Sequence, residues 1–365
     1  IDGRRINHTG HFGRYVVDWS TLNIDDIERV EIIRGSHSVL HPFAIGGVIN
    51  IITKKGKKTD KLKPEISVGG GYQSFNTYYT KGSLDGGLWN LVGYHFSASR
   101  QGTDGYLRNN FQWNNSFAGG LQFFLPWDAT LWLGGRYAKV NYGFPVVNDP
   151  RRPDFDPNYP VFLASADMLR HLPTSIQLPD GPTPQWFKKT YYLDGILNVP
   201  LWTGTFKVHA YTTNGRRDLY YYTSPVNFSS VRTRDVTEGI LAEYRDIKLW
   251  SGAWSKNFLT LGLDYQKLGA PPTNPIIYLV RSAYVQDILQ LWEKVTITAG
   301  VRYYNIDMDT YFAWFETGAP APAFPQAGKQ QRESGFYPSF KVEVQATPST
   351  AVYAAISRGL RLPCP

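Results

Sequence analysis

The chain has 365 residues, of which 42% are hydrophobic and 19% charged, with a formal net charge of +8. It has no run of about 18 consecutive apolar residues, which excludes an ordinary membrane-spanning helix. Its dispersed positive charge falls on no recognisable nucleic-acid motif, which argues against a nucleic-acid partner.

Aromatic residues make up 15% of the chain, with 24 Tyr and 11 Trp beside 34 Gly. That composition suits strands that present aromatic girdles at two membrane interfaces. The one cysteine, Cys364, has no partner for an internal disulfide.

In chain order, Ile1-Asp2-Gly3 reads as the end of a strand entering a turn, and neither end reads as a natural precursor terminus, so the chain is expected to be a fragment. Tyr15 to Asp18 is a short strand candidate. Asn23 to Arg29 reads as a brief helical turn, with Asn23 or Asp25 as its cap and acidic residues near its start. Val30 to Ile33 then extends and Arg34-Gly35 turns. Gly46-Gly47 permits close backbone approach before Val48 to Ile52, whose continuous β-branched run predicts a buried strand. Residues 1–56 are therefore expected to be part of a small α+β domain. The lysine-rich stretch after it, centred on 57–63, is a basic linker, either a solvated connector or a contact for an acidic partner.

From residue 64 to 365, period-2 alternation dominates. Leu259, Leu261, Leu263 and Tyr265 oppose Thr260, Gly262, Asp264 and Gln266; Val301 and Tyr303 oppose Arg302 and Tyr304; Phe206, Val208 and Ala210 oppose Lys207, His209 and Tyr211. Such long strands are the signature of a transmembrane barrel with an apolar outside and a polar lumen, whereas sandwich strands are usually shorter. Short links at 85–87, 125–128, 292–294 and 347–349 alternate with long ones at 101–111, 141–186, 223–232, 269–277 and 309–332. About thirteen strands result, and an antiparallel single-chain barrel wants an even number, so the barrel is incomplete. The longest loop carries nine prolines and a possible short amphipathic helix at 161–172; it is either a lid at the barrel mouth or a surface loop.

No Walker-type loop, Cys/His metal spacing or defensible pair of catalytic carboxylates is present. Gly69-Gly70-Gly71 leads to no helix and is not a dinucleotide fingerprint. No cofactor, resident metal or catalytic residue is expected.

The stretch from Asp26 to Lys54, with Ile32-Ile33-Arg34-Gly35, Ser38-Val39-Leu40 and Ala44-Ile45-Gly46-Gly47-Val48-Ile49-Asn50-Ile51-Ile52-Thr53, closely resembles the end of the plug domain of TonB-dependent outer-membrane receptors. Ile1-Asp2-Gly3 is similar to an earlier plug motif. Arg358-Gly359-Leu360-Arg361-Leu362-Pro363 resembles a barrel motif of the family, with Leu360 in place of an aromatic and Leu362 in place of a small residue. The resemblance implies a membrane all-β protein: a partial antiparallel transmembrane barrel, about 13 of 22 strands, with a partial plug in its lumen.

It also implies a location in the outer membrane of a Gram-negative bacterium and contact with outer-membrane lipid. The resemblance implies import of a scarce nutrient, with a ferric siderophore as the expected cargo of this chain, driven by the proton-motive force through the TonB–ExbB–ExbD complex, without enzymatic chemistry. Haem or cobalamin receptors of the same family, and a passive porin-like or adhesive barrel, are the alternatives.

Arg34 matches a family position that locks plug to barrel. His41-Pro42 stands where the family commonly has Tyr-Gly, near the upper plug surface, which makes His37, His41 and Phe43 ligand-contact candidates, with His8 and His11 in the earlier plug loop. Four histidines at one surface suit haem or a metal complex, the alternative being ordinary solvated histidines. On the barrel, strand parity points His95, Arg136, Lys207, His209 and Arg302 into the lumen, where basic groups would attract anionic chelates.

Overall fold

The computed structural model describes residues 1–6, 19–34, 39–44, 46–163, 183–224, 227–269, 276–310, 330–360 and 362. Its strands form two antiparallel sheets. The small one pairs β1 (Ile27–Arg34) with β2 (Gly47–Thr53). The large one has thirteen strands, in agreement with the number legible in the sequence. They are β3 (Glu65–Gln73), β4 (Thr77–Leu88), β5 (Val92–Thr103), β6 (Gln112–Phe124), β7 (Thr130–Gly143), β8 (Gln185–Leu201), β9 (Gly204–Ser224), β10 (Asn227–Ser251), β11 (Ser255–Gly269), β12 (Ile276–Leu291), β13 (Val295–Thr310), β14 (Gln330–Thr347) and β15 (Thr350–Ser357). Each strand pairs with its neighbours in sequence, and β3 and β15 form the two edges. No described helix is long and apolar enough to cross a membrane; the strands do so instead.

The alternation decides which face meets the plug. On β11, Leu261, Leu263 and Tyr265 are exposed while Asp264 and Gln266 are buried. On β9, Lys207, His209 and Tyr211 are buried while Phe206 is exposed. A 12-residue strand at about 3.3 Å per residue spans roughly 40 Å, enough to cross a tilted hydrocarbon core.

The short turns at one end carry Trp89, Trp127, Trp202, Trp254 and Trp292, all between 61% and 89% exposed, which makes a tryptophan girdle at that membrane interface. Trp89-Asn90, Trp127-Asp128 and Trp292-Glu293 are consecutive left-handed pairs. Two positive φ values in succession match the strand twist, which explains how bulky residues come to occupy such tight hairpins.

Several boundaries differ from expectation. The link expected at 85–87 lies inside β4, and the turn falls at 89–91. The loop expected at 223–232 is mostly strand: Tyr220 to Tyr222 pair with Phe228 to Ser230, so β9 and β10 extend beyond the other strands on the long-loop side. Val48 to Ile52 does form a strand, but it is buried mainly at Ile51, with Ile49 55% exposed. A Cβ on Gly46 would meet nothing within 4 Å, so that glycine serves no close approach. Gly47, at φ 146, sits where side chains rarely do. The strand expected at 15–18 and the helix expected within 161–172, apart from residues 161–163, lie outside the described residues.

The lysine-rich stretch is not a free connector. The Lys57 and Lys63 amides donate to the Gly86 and Gly87 carbonyls, and the Asn90 amide donates to Thr59. A Cβ on Gly87 would lie 2.0 Å from the Lys57 carbonyl oxygen, and one on Gly56 equally close to the Gly93 backbone, so glycines let the two backbones touch. In the long loop, buried Asn148 donates to the carbonyls of Asp156, Tyr159 and Pro160 and accepts from the Asp156 amide, which folds residues 148–162 upon themselves.

Candidate functional site

The candidate site is the seam where the plug meets the lumenal face of the sheet, together with the cleft above it. On the β4–β10 side the contact is made of ions. The Asn23 side chain accepts the Asp25 amide and so starts a single 3₁₀ turn, Ile24–Asp26; its own amide reaches Ser97. That turn aims Asp26 at His95 Nε2, 3.2 Å away, while His95 Nδ1 meets Asp85 at 2.6 Å. Lys81 pairs with Asp25 at 2.8 Å.

A second node centres on Asp194. It lies 3.3 Å from Arg4, 2.9 Å from His209 Nε2 and 3.9 Å from Arg136. Arg4 also donates to the Thr212 carbonyl and lies over the rings of Tyr192 and Tyr211. Its Nε and Nη2 find no hydrogen-bond partner among the described residues, so those rings take the place of acceptors. Asp2, on the plug, accepts from the Thr53 amide and hydroxyl and from Lys55. Burial raises its carboxyl, but Lys55 and the Thr53 hydrogen bonds more than offset that and hold it below the usual carboxylate range.

On the β10–β15 side the contact is mainly aromatic and apolar. Val39 is buried with Leu241 and Tyr284, and Gly300 makes room for it, since a Cβ there would stand 2.8 Å from Val39. Arg302, 1% exposed, bonds Asp264 at 2.6 Å and donates to Ser282 and to the Val39 carbonyl, 2.9 Å away. Its guanidinium lies between the rings of Tyr284 and Tyr304. Phe43, at φ 61, stacks on Tyr304 at 5.2 Å and packs with Leu360 against a cluster of Leu268, Tyr278, Val280, Ile306, Met308, Tyr337 and Leu362.

His41 is half-buried in a cleft of about 390 Å³ shared with Lys207, Glu243 and Arg245. Burial, against the pull of Glu243 and with the push of Arg245 and Arg302, lowers its pKa from 6.5 to about 4. On the lumenal face at the long-loop end, Lys188 lies over Tyr142 and Trp186, 5.0 and 4.8 Å from their centroids.

Parity therefore placed His95, Arg136, His209 and Arg302 on the plug-facing side, but each is buried in ion pairs beneath the plug. With the plug seated they offer no surface to a ligand: buried polar side chains are held by the carboxylates they face. His8, His11 and His37 lie outside the described residues, and Arg34 is described only as the last residue of β1. His41 and Phe43 do come together, lining one pocket with Pro42 and Ala44. Sequence reasoning missed Arg4, Asp26, Asp85, Asp194 and Asp264. Asp194 and Asp264 carried a usable signal, since each is the lone carboxylate of its strand and sits at a lumenal parity.

A thirteen-stranded antiparallel membrane sheet with a segment carrying its own two-stranded sheet docked on its polar face defines a plugged outer-membrane barrel. The family described as TonB dependent receptor-like, beta-barrel matches residues 65–363, and the TonB-dependent receptor plug domain matches residues 1–48. This chain belongs to the TonB-dependent receptor family, whose members are receptors and transporters of the Gram-negative outer membrane.

It is 38% identical over 90 residues to the vitamin B12 transporter BtuB of Photobacterium profundum, covering 24% of this chain and 14% of that protein. Its fold is similar to the siderophore receptor PirA of Acinetobacter baumannii, with a TM-score of 0.65 at 15% identity, covering 99% of this chain and 52% of that one. It is also similar to the ferric yersiniabactin uptake receptor FyuA of Yersinia pestis, with a TM-score of 0.62 at 15% identity, covering 90% and 51%. The chain thus spans about half the length of these solved structures.

Proposed function

We propose that this protein binds a ferric siderophore at the long-loop face of the plug and carries it into the periplasm, driven by the proton-motive force through the TonB–ExbB–ExbD complex. The observation that carries this reading is the seam itself. Among the described residues the plug is held by discrete ion pairs, hydrogen bonds and aromatic and apolar contacts, with a solvent cleft at His41, so a pull on the plug has defined contacts to break. The basic and aromatic mouth at Lys188, Tyr142 and Trp186 suits an anionic, often aromatic chelate, and several solved structures of this fold are siderophore receptors. His41 and Phe43 are the proposed plug contacts for the ligand. Arg34 is the proposed lock between plug and barrel.

The local similarity to a vitamin B12 transporter favours cobalamin as a second reading. The experiment is uptake of radiolabelled ferric siderophores, haem and cobalamin by cells expressing the whole protein, with and without an uncoupler. One ferric chelate is expected to enter, and entry is expected to stop when the gradient collapses. Undiminished uptake without the gradient would leave a passive barrel, and uptake of cobalamin alone would transfer the assignment to the second reading.

A further inference from the structure

Both roots of the long loop are gripped by one side chain. Asn109, in the link between β5 and β6, donates from Nδ2 to the Phe144 carbonyl and to the Pro184 carbonyl, 2.8 Å each. Phe144 follows the last residue of β7 and Pro184 precedes the first residue of β8, so a single amide closes the whole loop at its base. The local backbone is built for that grip. Asn109 is left-handed at φ 59, a conformation that asparagine adopts more readily than most residues. Gly143 leaves room for it, since a Cβ there would stand 2.3 Å from the Asn109 carbonyl oxygen. Neighbouring bonds brace the same link: the Gly143 amide donates to the Phe111 carbonyl, the Val146 amide to the Arg108 carbonyl, and Arg108 pairs with Asp154 inside the loop at 3.2 Å.

What the clamp fixes is a group of rings. Phe144 packs on Tyr142 and Trp186, at 5.7 and 6.3 Å between centroids, and Tyr142 lies 5.8 Å from Trp186. Tyr142 and Trp186 stand opposite one another in the β7–β8 register, one lumenal step nearer the loops than Lys188. All of these rings are half-buried, which leaves each with accessible surface. Arg217, opposite Lys188 on β9, is already paired with Asp235 at 3.2 Å, so Lys188 is the cation that belongs to this group.

We propose that Asn109 is a positioning residue for ligand recognition: by clamping the loop roots it holds Tyr142, Phe144 and Trp186 as one platform beside Lys188, and that platform takes an aryl group bearing anionic oxygens on the ferric chelate. The proposal rests on the siderophore reading above. A planar ring stacks on the accessible ring surface while its oxygens lie toward the ammonium, whereas a chelate without a ring has only the ammonium to meet. Because the rings are gathered before the ligand arrives, binding loses little side-chain entropy in ordering them.

The test is equilibrium binding of two iron probes, ferric catecholate and ferric acetohydroxamate, to the whole protein purified in neutral detergent. The catecholate is expected to bind the more tightly. Asn109→Gly leaves the left-handed backbone at ease and removes only the clamp, so it is expected to weaken the catecholate by roughly tenfold and to leave the hydroxamate unchanged. Trp186→Leu is expected to weaken the catecholate by a similar factor. Asn109→Gly/Trp186→Leu should lose little more than Trp186→Leu alone, since the clamp acts through the ring. A general loosening of the mouth would instead weaken both probes and add to the loss in the double variant, and that result would overturn the proposal. Unaltered catecholate binding in Asn109→Gly, or hydroxamate binding as tight as catecholate, would also overturn it while leaving the siderophore reading in place. Binding of neither probe to the unaltered protein would remove both.

Discussion

The two sides of the plug are held by different physics. Against β4 to β10 the plug presents Asp26 and Arg4 to His95 and Asp194, charge to charge and out of water. Against β10 to β15 it presents Val39 and Phe43 to Tyr284 and Tyr304, and the buried cation Arg302 already has a carboxylate of its own in Asp264. A buried ion pair is strong only while complete, because either member alone is a stranded charge. An aromatic stack loses free energy gradually as contact is lost. The ion side therefore resists small displacements and fails abruptly, whereas the aromatic side can slide.

The largest effect follows from stranding charge on the ion side. Asp194→Asn removes the carboxylate that Arg4, Arg136 and His209 share, and plug docking is expected to weaken by about 3–5 kcal/mol. Proteolytic release of the plug against denaturant would measure it. Adding Arg4→Met in the same background is expected to recover part of the loss, since one unpaired cation is gone. A loss below about 1 kcal/mol would show that the two sides do not differ as argued.

Acid should act through His41, which lies in the cleft between the two sides. Its pKa falls from 6.5 to about 4 when the plug is seated, so the docked state binds fewer protons than the released state between those values. Docking is therefore expected to be at full strength above pH 6.5 and to weaken as pH falls toward 4, by at most about 3 kcal/mol. His41→Gln should flatten that part of the profile. If the slope persisted unchanged in the variant, another group would have to carry it.

Much of this architecture was legible because a membrane sheet imposes a period of two over long strands. Leu261, Leu263 and Tyr265 could face only lipid and Asp264 only the lumen, and the count of thirteen strands followed from that constraint. Boundaries were harder where composition misled. Residues 223–232 read as loop, yet most of them pair as strand above the membrane, where no apolar face is needed. The seam was half legible. Parity gave the direction of His95 and Arg302, but the carboxylates they meet, Asp26 on the plug and Asp264 two strands away, depend on a tertiary register that no local pattern encodes. Nor does anything in the sequence announce that Phe43 is left-handed, since a glycine, asparagine or aspartate is what that conformation usually selects.

Phe43 gives the smallest effect and the finest test of the aromatic side. Its ring stacks on Tyr304 and its amide donates to the Tyr304 hydroxyl, while its backbone sits at φ 61. Phe43→Ala removes the ring and keeps a Cβ in the unfavourable backbone region, so docking is expected to weaken by about 2 kcal/mol, less than for a fully buried phenylalanine. Phe43→Gly removes still more side chain but relieves about 1 kcal/mol of left-handed strain, so it should be the milder of the two. That order is the opposite of what contact area alone predicts. If alanine proved milder than glycine, the left-handed conformation would not be the one the docked plug requires, and the stack on Tyr304 would have to account for the whole contribution of Phe43.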